Sequence, residues 1–176
     1  DDRLQGRKFD YMITNPPFGS KIPVRGEEKL SQYELGHSFT YKDNSWIKSK
    51  LKDKEAPQIL FIERCIQLLK EGGRMGIVLP DGILGNDRMG YIRKYIHNNA
   101  KLLAIIDLPK EAFMPNTPTK TSVIILEKNK THKKNYPVFM AIAETCGHDR
   151  RGNKLEDDDI SKISARFKEW YKKNKN

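Results

Sequence analysis

Apolar positions in this chain fall in short runs set well apart, and their spacing changes from run to run. The first run, FDYMIT at Phe9 to Thr14, is short enough to read as a buried strand. It stops at Asn-Pro-Pro-Phe. From Gly19 to about Pro57 the pattern dissolves into a polar stretch with scattered aromatics (Tyr33, Phe39, Tyr41, Trp46). That is too long for a plain connection in a compact domain, so residues 19–57 are expected to form a long functional or disordered loop. The period then turns helical. In QILFIERCIQLLKE, Gln58 to Glu71, apolar Ile59, Ile62, Ile66 and Leu69 recur at three- and four-residue spacing. Gly72 and Gly73 are expected to end that helix.

RMGIVLP, Arg74 to Pro80, reads as a second buried strand. DRMGYIRKYIHNN, Asp87 to Asn99, reads as a second helix with Asp87 as its N-cap. Three more strands are expected at Leu102 to Pro109, Lys120 to Lys128 and Tyr136 to Glu144. The end of the chain, DDDISKISARFKEWYKK, reads as a helix starting near Asp159 or Ser161. Strand, helix, strand, helix, strand implies parallel crossovers. Only a short lysine-rich loop parts the last two strands, which predicts an antiparallel hairpin between them. The fold class is therefore α/β, a mixed sheet with a C-terminal antiparallel hairpin. Residues 1–155 form its main body and 156–176 a C-terminal helix and basic tail.

In an open α/β sheet ligands gather at the carboxyl ends of the strands, and Asn15-Pro16-Pro17-Phe18 lies at such an end. Asn15 and Pro16 each precede a proline, which restricts both residues, and neither proline has an N–H. The loop is stiff and poor in donors. It offers acceptors, the Asn15 side-chain oxygen and the Pro16 carbonyl, beside the flat apolar face of Phe18. Such a set suits an aromatic amine such as the exocyclic amine of adenine. Two acceptors holding its hydrogens turn the nitrogen lone pair towards an electrophile and stabilise the positive charge that develops. An aromatic side chain can stack on a base that has left the duplex. The plainer reading is a turn that closes a strand.

Charge adds a partner class. Lysine and arginine exceed aspartate and glutamate by enough to leave the chain at +10, which favours polyanions through counterion release. The lysines gather in Glu127 to Tyr136 and in the tail Lys168 to Asn176. The two cysteines, Cys65 and Cys146, form no CxxC pair, which fits a reduced, cytoplasmic setting. No apolar run has membrane-spanning length and no signal peptide is expected.

At these residues the sequence resembles the amino-group DNA methyltransferases. FDYMITNPPFGS resembles their target-amine motif. Two further segments resemble the modification subunit of type I restriction–modification systems and related N6-adenine methyltransferases. One is APQILFIERCIQLLKEGGRMGIVLPDGILGNDRMGYIRKYI, and the other is LLAIIDLPKEAFMPNTPTKTSVIILEK. The likeness covers roughly Phe9 to Lys128, and less specifically Ala143 to Asn153. It implies a partial Rossmann-like S-adenosylmethionine-dependent methyltransferase fold and methyl transfer to N6 of a flipped adenine. Asn15 and Pro16 would hold the amine, with Pro17 stiffening the motif and Phe18 stacking on the ring. Phe113 is a candidate for the base pocket, and Asp81 and Gly82 would sit on the same rim. Implied partners are DNA and the specificity and restriction subunits of such a system.

The family's cofactor glycine motif lies upstream of Asn-Pro-Pro, and only Asp1 to Lys8 precede the first strand here. EGGRMG, Glu71 to Gly76, is no substitute, because it follows a helix and opens a strand. The chain is therefore expected to be the C-terminal part of a methyltransferase domain, inactive alone, with no assignable cofactor residues. Its first strand would present an exposed apolar edge, so self-association is expected, or a cover from the 19–57 region.

Other candidates have simpler readings. His37, His97, His132 and His148 lack ligand spacing, so no metal site is expected. CGHDRRG, Cys146 to Gly152, reads as a turn whose Arg150 and Arg151 meet phosphate. The acidic run Glu156 to Asp159 reads as a solvated helix start. Two other functions stay open: methylation of RNA or of a protein glutamine amide, which uses the same motif with Tyr as the usual aromatic, and a non-catalytic nucleic-acid-binding module of the same fold.

Overall fold

The computed structural model describes residues 4, 6–19, 22–129, 131 and 135–174. His132, part of the lysine-rich 127–136 stretch and the last two residues of the tail lie outside them. Strand β1 (Phe9–Thr14) leads into β2 (Val24–Arg25), the one-turn helix α1 (Glu27–Leu30), strands β3 (His37–Lys42) and β4 (Ser45–Leu51), and β5 (Lys54–Glu55). Helix α2 (Pro57–Leu68) runs directly into β6 (Leu69–Pro80). Helix α3 (Asp81–Gly85), a 3-10 turn at Asp87–Met89 and helix α4 (Gly90–Asn99) cross over to β7 (Lys101–Asp107). A second 3-10 turn, Lys110–Phe113, precedes β8 (Thr121–Glu127). Then come β9 (Phe139–Ile142), β10 (Cys146–His148), β11 (Lys154–Asp158) and helix α5 (Asp159–Asn174).

The central sheet has the order β1-β6-β8-β7-β9. β1 is parallel to β6, and β7 to β9, while β8 runs antiparallel between β6 and β7. The carboxyl ends of β1, β6, β7 and β9 therefore share one rim. Met75, Ile77, Leu79, Ile124 and Leu126 are buried on one face under α2 and α4. Helix α5 lies over the other face, where Phe139 meets Phe167 and Trp170 at ring separations of 5.4 and 5.8 Å.

The mixed α/β sheet agrees with the pattern along the chain, and four details differ. First, Lys120–Lys128 and Tyr136–Glu144 do not pair as a hairpin. Both edges of β8 are already taken by β6 and β7, so β9 joins the free edge of β7 instead. The antiparallel hairpin of the C-terminal part is β10–β11. Glu156 to Asp158 belong to β11, and α5 starts at Asp159.

Second, α2 stops at Leu68 rather than Glu71, because Leu69 is wholly buried opposite Phe9 and already extended. The two glycines do a different job. Gly72, at φ 75°, donates its N–H to the Lys128 carbonyl at 2.8 Å. A Cβ on Gly73 would stand 3.0 Å from the Phe9 carbonyl oxygen and 2.9 Å from that of Lys70. The pair makes the irregularity in β6 that lets β1 approach. Third, Asp87 does not cap α4: it lies in the 3-10 turn that leads into the helix, and that turn is capped by Asn86, whose side chain accepts the Arg88 N–H at 2.9 Å.

Fourth, the stretch expected to be a long loop is folded. β3 and β4 pair as an antiparallel hairpin closed by Asp43 and Asn44, both with positive φ, the combination a tight hairpin turn requires. The stretch docks on α2 and α4, with Phe39 stacked on Tyr91 at 4.8 Å. Glu63 on α2 anchors it: its two oxygens accept the N–H groups of Glu34 and Leu35, each at 2.8 Å. The segment therefore does not cover β1, whose Tyr11 and Ile13 stay 66% and 93% exposed.

Candidate active site

The Asn-Pro-Pro-Phe segment begins where β1 ends at Thr14, on the common rim. Asn15 is exposed, Pro16 buried, Pro17 exposed and Phe18 half-buried. The buried Pro16 fixes the backbone while the Asn15 carboxamide faces solvent. That carboxamide makes no hydrogen bond among the described residues, so its acceptor oxygen is available to a ligand.

Phe113 comes to the motif from a distant part of the sequence. Its ring meets that of Phe18 edge-to-face, with centroids 6.2 Å apart and planes at 81°. Two half-buried aromatic rings at right angles beside an exposed acceptor make a corner that a flat heteroaromatic ring can enter.

Phe113 sits on the 108–119 loop between β7 and β8, and an ion pair closes the neck of that loop. Lys120 Nζ lies 2.7 Å from Asp107 Oδ1, at about one-third exposure for each side chain, and also donates to the Leu108 carbonyl. Asp81, at the end of β6, accepts the Ser122 hydroxyl at 2.9 Å, and its N–H donates to the Lys120 carbonyl. Asp81 thus ties α3 to β8, a structural role; Gly82 is exposed in α3. Sequence reading missed Lys120 and Asp107, because nothing local marks an ion pair across thirteen residues. Lys120→Met is expected to leave the fold intact, since a partly exposed pair contributes about 1 kcal/mol or less. It should nonetheless misplace Phe113 and lower kcat/KM for the full-length enzyme by up to about 10²-fold. Lys120→Arg should restore most of the loss, and a matching drop in melting temperature and activity in both variants would contradict this.

Arg150 and Arg151 lie in the β10–β11 turn beside that loop. Arg150 Nε donates to Glu111 Oε1 at 2.9 Å, tying the hairpin to the turn that carries Phe113. This hydrogen bond holds the Glu111 carboxyl below the ordinary carboxylate range. Arg151 is exposed, with its own N–H on Asp149. Asp149 also accepts the Asn153 backbone and side-chain N–H groups at 2.9 Å, and the side-chain bond does most to lower its pKa. A groove of ≈ 530 Å³ runs here between Glu111, Cys146, His148, Arg150 and Arg151.

No group of three or more metal-ligating side chains occurs among the described residues. Burial pushes the Cys65 thiol up to about 11, so it is no nucleophile at neutral pH. No helix of the described residues is long and apolar enough to cross a membrane.

The N-6 DNA methylase family model matches residues 1–176. The chain belongs to the N-6 DNA methylase family. It is 27% identical over 135 residues to the type II methyltransferase M.BstVI of Geobacillus stearothermophilus, covering 77% of this chain and 22% of that protein. It is 30% identical over 127 residues to the methylase subunit of the type I restriction enzyme EcoEI of Escherichia coli, covering 72% of this chain and 22% of the relative. The type I methyltransferase subunit of Streptococcus thermophilus superposes with a TM-score of 0.65 at 26% identity, over 93% of this chain and 32% of that one. A Listeria monocytogenes protein assigned to the class I S-adenosylmethionine-dependent methyltransferases superposes at 0.67 with 23% identity, over 94% of this chain and 43% of that one. This chain of the N-6 DNA methylase family thus spans about a fifth of the length of the curated relatives it matches. Those relatives are methyltransferases of type I and type II restriction–modification systems, and the sheet is of their Rossmann-like class.

Proposed function

We propose that this chain is the target-base side of a site-specific DNA adenine-N6 methyltransferase of a restriction–modification system. The observation that carries the reading is the free Asn15 carboxamide at the end of β1 beside the Phe18–Phe113 corner. In this reading adenine leaves the duplex and enters the corner, stacked on Phe18 and bounded by Phe113. Asn15 Oδ1 and the Pro16 carbonyl accept the two amine hydrogens. The nitrogen turns towards tetrahedral geometry, and the same acceptors stabilise its developing charge. The surplus proton then leaves to water. Pro17 holds the acceptors in place.

The methyl group comes from S-adenosylmethionine, whose site the described residues do not build. The only glycine pair at a helix–strand junction, among the described residues, is spent on the bulge that seats β1. The outer edge of β1 has no strand partner among those residues. Cofactor residues are therefore sought elsewhere in the full-length protein. Arg151 is assigned to a phosphate near the target base, while Arg150 positions the hairpin through Glu111. The specificity and restriction subunits of the system are the protein partners, and the compartment is the cytoplasm.

The test is tritium transfer from S-adenosylmethionine to duplex DNA, RNA and protein by the full-length protein with its specificity subunit. Label on adenine N6 of DNA supports the reading; label on RNA or protein alone overturns it. The 176-residue chain by itself is expected to transfer no label and to self-associate through the β1 edge, seen as a concentration-dependent mass by light scattering. Ile13→Lys should lower that mass, and turnover by the isolated chain would contradict the division of labour.

A further inference from the structure

The β3–β4 hairpin stands over the amino end of α4. Helix α4 returns from the rim at which β1 and β6 end, so its first turn lies on the same side of the sheet as Asn15. Trp46 packs directly against that turn. A Cβ on Gly90 would stand 2.7 Å from the Trp46 ring, so only glycine admits the contact. Trp46 also meets Tyr91 edge-on at 5.9 Å and Tyr41 at 5.1 Å. The arrangement leaves a groove of ≈ 520 Å³ lined by Tyr41, Trp46, Asp87, Arg88, Gly90 and Arg93.

Packing accounts for Phe39 and Trp46 but not for the rest. Tyr41 is 58% exposed. Arg88, Lys48 and Lys50 are exposed and have no carboxylate partner among the described residues. Lys52 differs, being paired with Glu55. The Arg93 guanidinium is held in place by the carbonyls of Ile83 and Asn86 at 3.0 and 2.8 Å. The groove itself is lined by two cations, Arg88 and Arg93, and one carboxylate, Asp87, and Lys48 and Lys50 lie on β4, the strand that carries Trp46.

We propose that this groove holds the phosphate backbone of duplex DNA flanking the target base, a contact that reads no sequence. The inference rests on the DNA reading above. A held guanidinium, that of Arg93, and aromatic rims suit phosphodiester and sugar, and their place on the rim sets the run of the duplex past Asn15. Arg88 supplies charge in the groove and Lys48 and Lys50 extend it along the exposed part of β4, while Tyr41 and Trp46 supply a rigid wall.

The experiment measures DNA binding by the full-length protein between ~50 and ~200 mM salt, by fluorescence anisotropy, on target and non-target duplexes. The variant combines Lys48→Gln, Lys50→Gln and Arg88→Gln, all exposed, with folding checked by circular dichroism. The slope of log K against log salt is expected to become shallower by about 0.9 for each cation removed, equally on both duplexes. An unchanged slope overturns the proposal, as does a loss confined to binding of a protein subunit. Tyr41→Ala should weaken binding without changing the slope, and wild-type affinity in that variant also counts against the groove. Methyl transfer is read in parallel. If the wild type methylates DNA while the triple variant keeps its slope, only the groove fails. If the slope falls but label reaches only RNA or protein, the methylation reading fails and the groove stands.

Discussion

Asn15→Ala in the full-length protein is expected to lower methyl transfer to DNA by about 10² to 10³-fold or more, the usual cost of deleting one preorganised polar group that acts on developing charge. The side chain is exposed and has no hydrogen bond among the described residues, so truncation leaves no buried group unpaired and the fold should survive. The loss should fall on kcat, because the amine is a weak hydrogen-bond donor in the ground state and a strong one when its nitrogen carries positive charge. Cofactor affinity, measured separately by equilibrium binding, should not change. Asn15→Asp is the informative companion. It keeps the acceptor and should retain more activity than alanine. Equal kcat in wild type and Asn15→Ala would remove Asn15 from the mechanism and with it the chemical reading of the motif.

Glu63→Ala should give the largest loss of stability, and the loss should be local to the inserted segment. Glu63 is 3% exposed. Its carboxylate accepts the backbone N–H groups of Glu34 and Leu35 and the Gln67 side-chain amide at 3.0 Å. Alanine would leave two backbone donors unpaired at about 1–3 kcal/mol each, so about 2–6 kcal/mol in total. Amide exchange should accelerate at Glu34 and Leu35 and then across β3 and β4, before the central sheet is affected. Glu63→Gln keeps one acceptor oxygen and should lose less.

The same residue sets a pH dependence. Burial pushes the Glu63 carboxyl above its ordinary value of 4.5, against the opposing pull of the Leu35 and Glu34 amides. Below 4.5 the carboxyl is protonated in both folded and unfolded chains. As pH rises the unfolded chain ionises first, so the contribution of Glu63 to stability declines until the folded group has ionised too. Thermal melts of wild type and Glu63→Gln should therefore diverge between 4.5 and the raised folded value, and parallel pH profiles would refute this. The groove over α4 depends on Glu63 indirectly, because the hairpin that forms one wall belongs to the segment Glu63 anchors.

The place of Asn-Pro-Pro-Phe at a sheet end was legible in the sequence because its determinants are local. Two prolines, an acceptor and an aromatic are adjacent, and the strand before them places the group at a sheet end whatever the strand order. The apolar periodicity of α2 and the runs of β6, β7 and β8 were legible for the same reason. The hairpin of β3 and β4 had a signal that went unread: Asp43-Asn44 flanked by Phe39, Tyr41 and Trp46 at alternating positions. Glu63, a charge among the apolar positions of α2, was a second signal that went unread.

Other features had no local signal at all. Whether β8 lies beside β9 or between β6 and β7 depends on which edges are free once the sheet assembles, and no residue of β8 states that. The early end of α2 came from the pairing of Leu69 with Phe9, sixty residues away, which outweighed helix propensity. The sequence by itself determined the fold class and the strand that ends in the motif. Only the tertiary structure decided that Phe113 faces Phe18, that Lys120 and Asp107 close its loop, and that the polar stretch packs on α2 and α4. Each of these joins residues far apart along the chain, and their contact exists only after the sheet has brought its carboxyl ends to one rim.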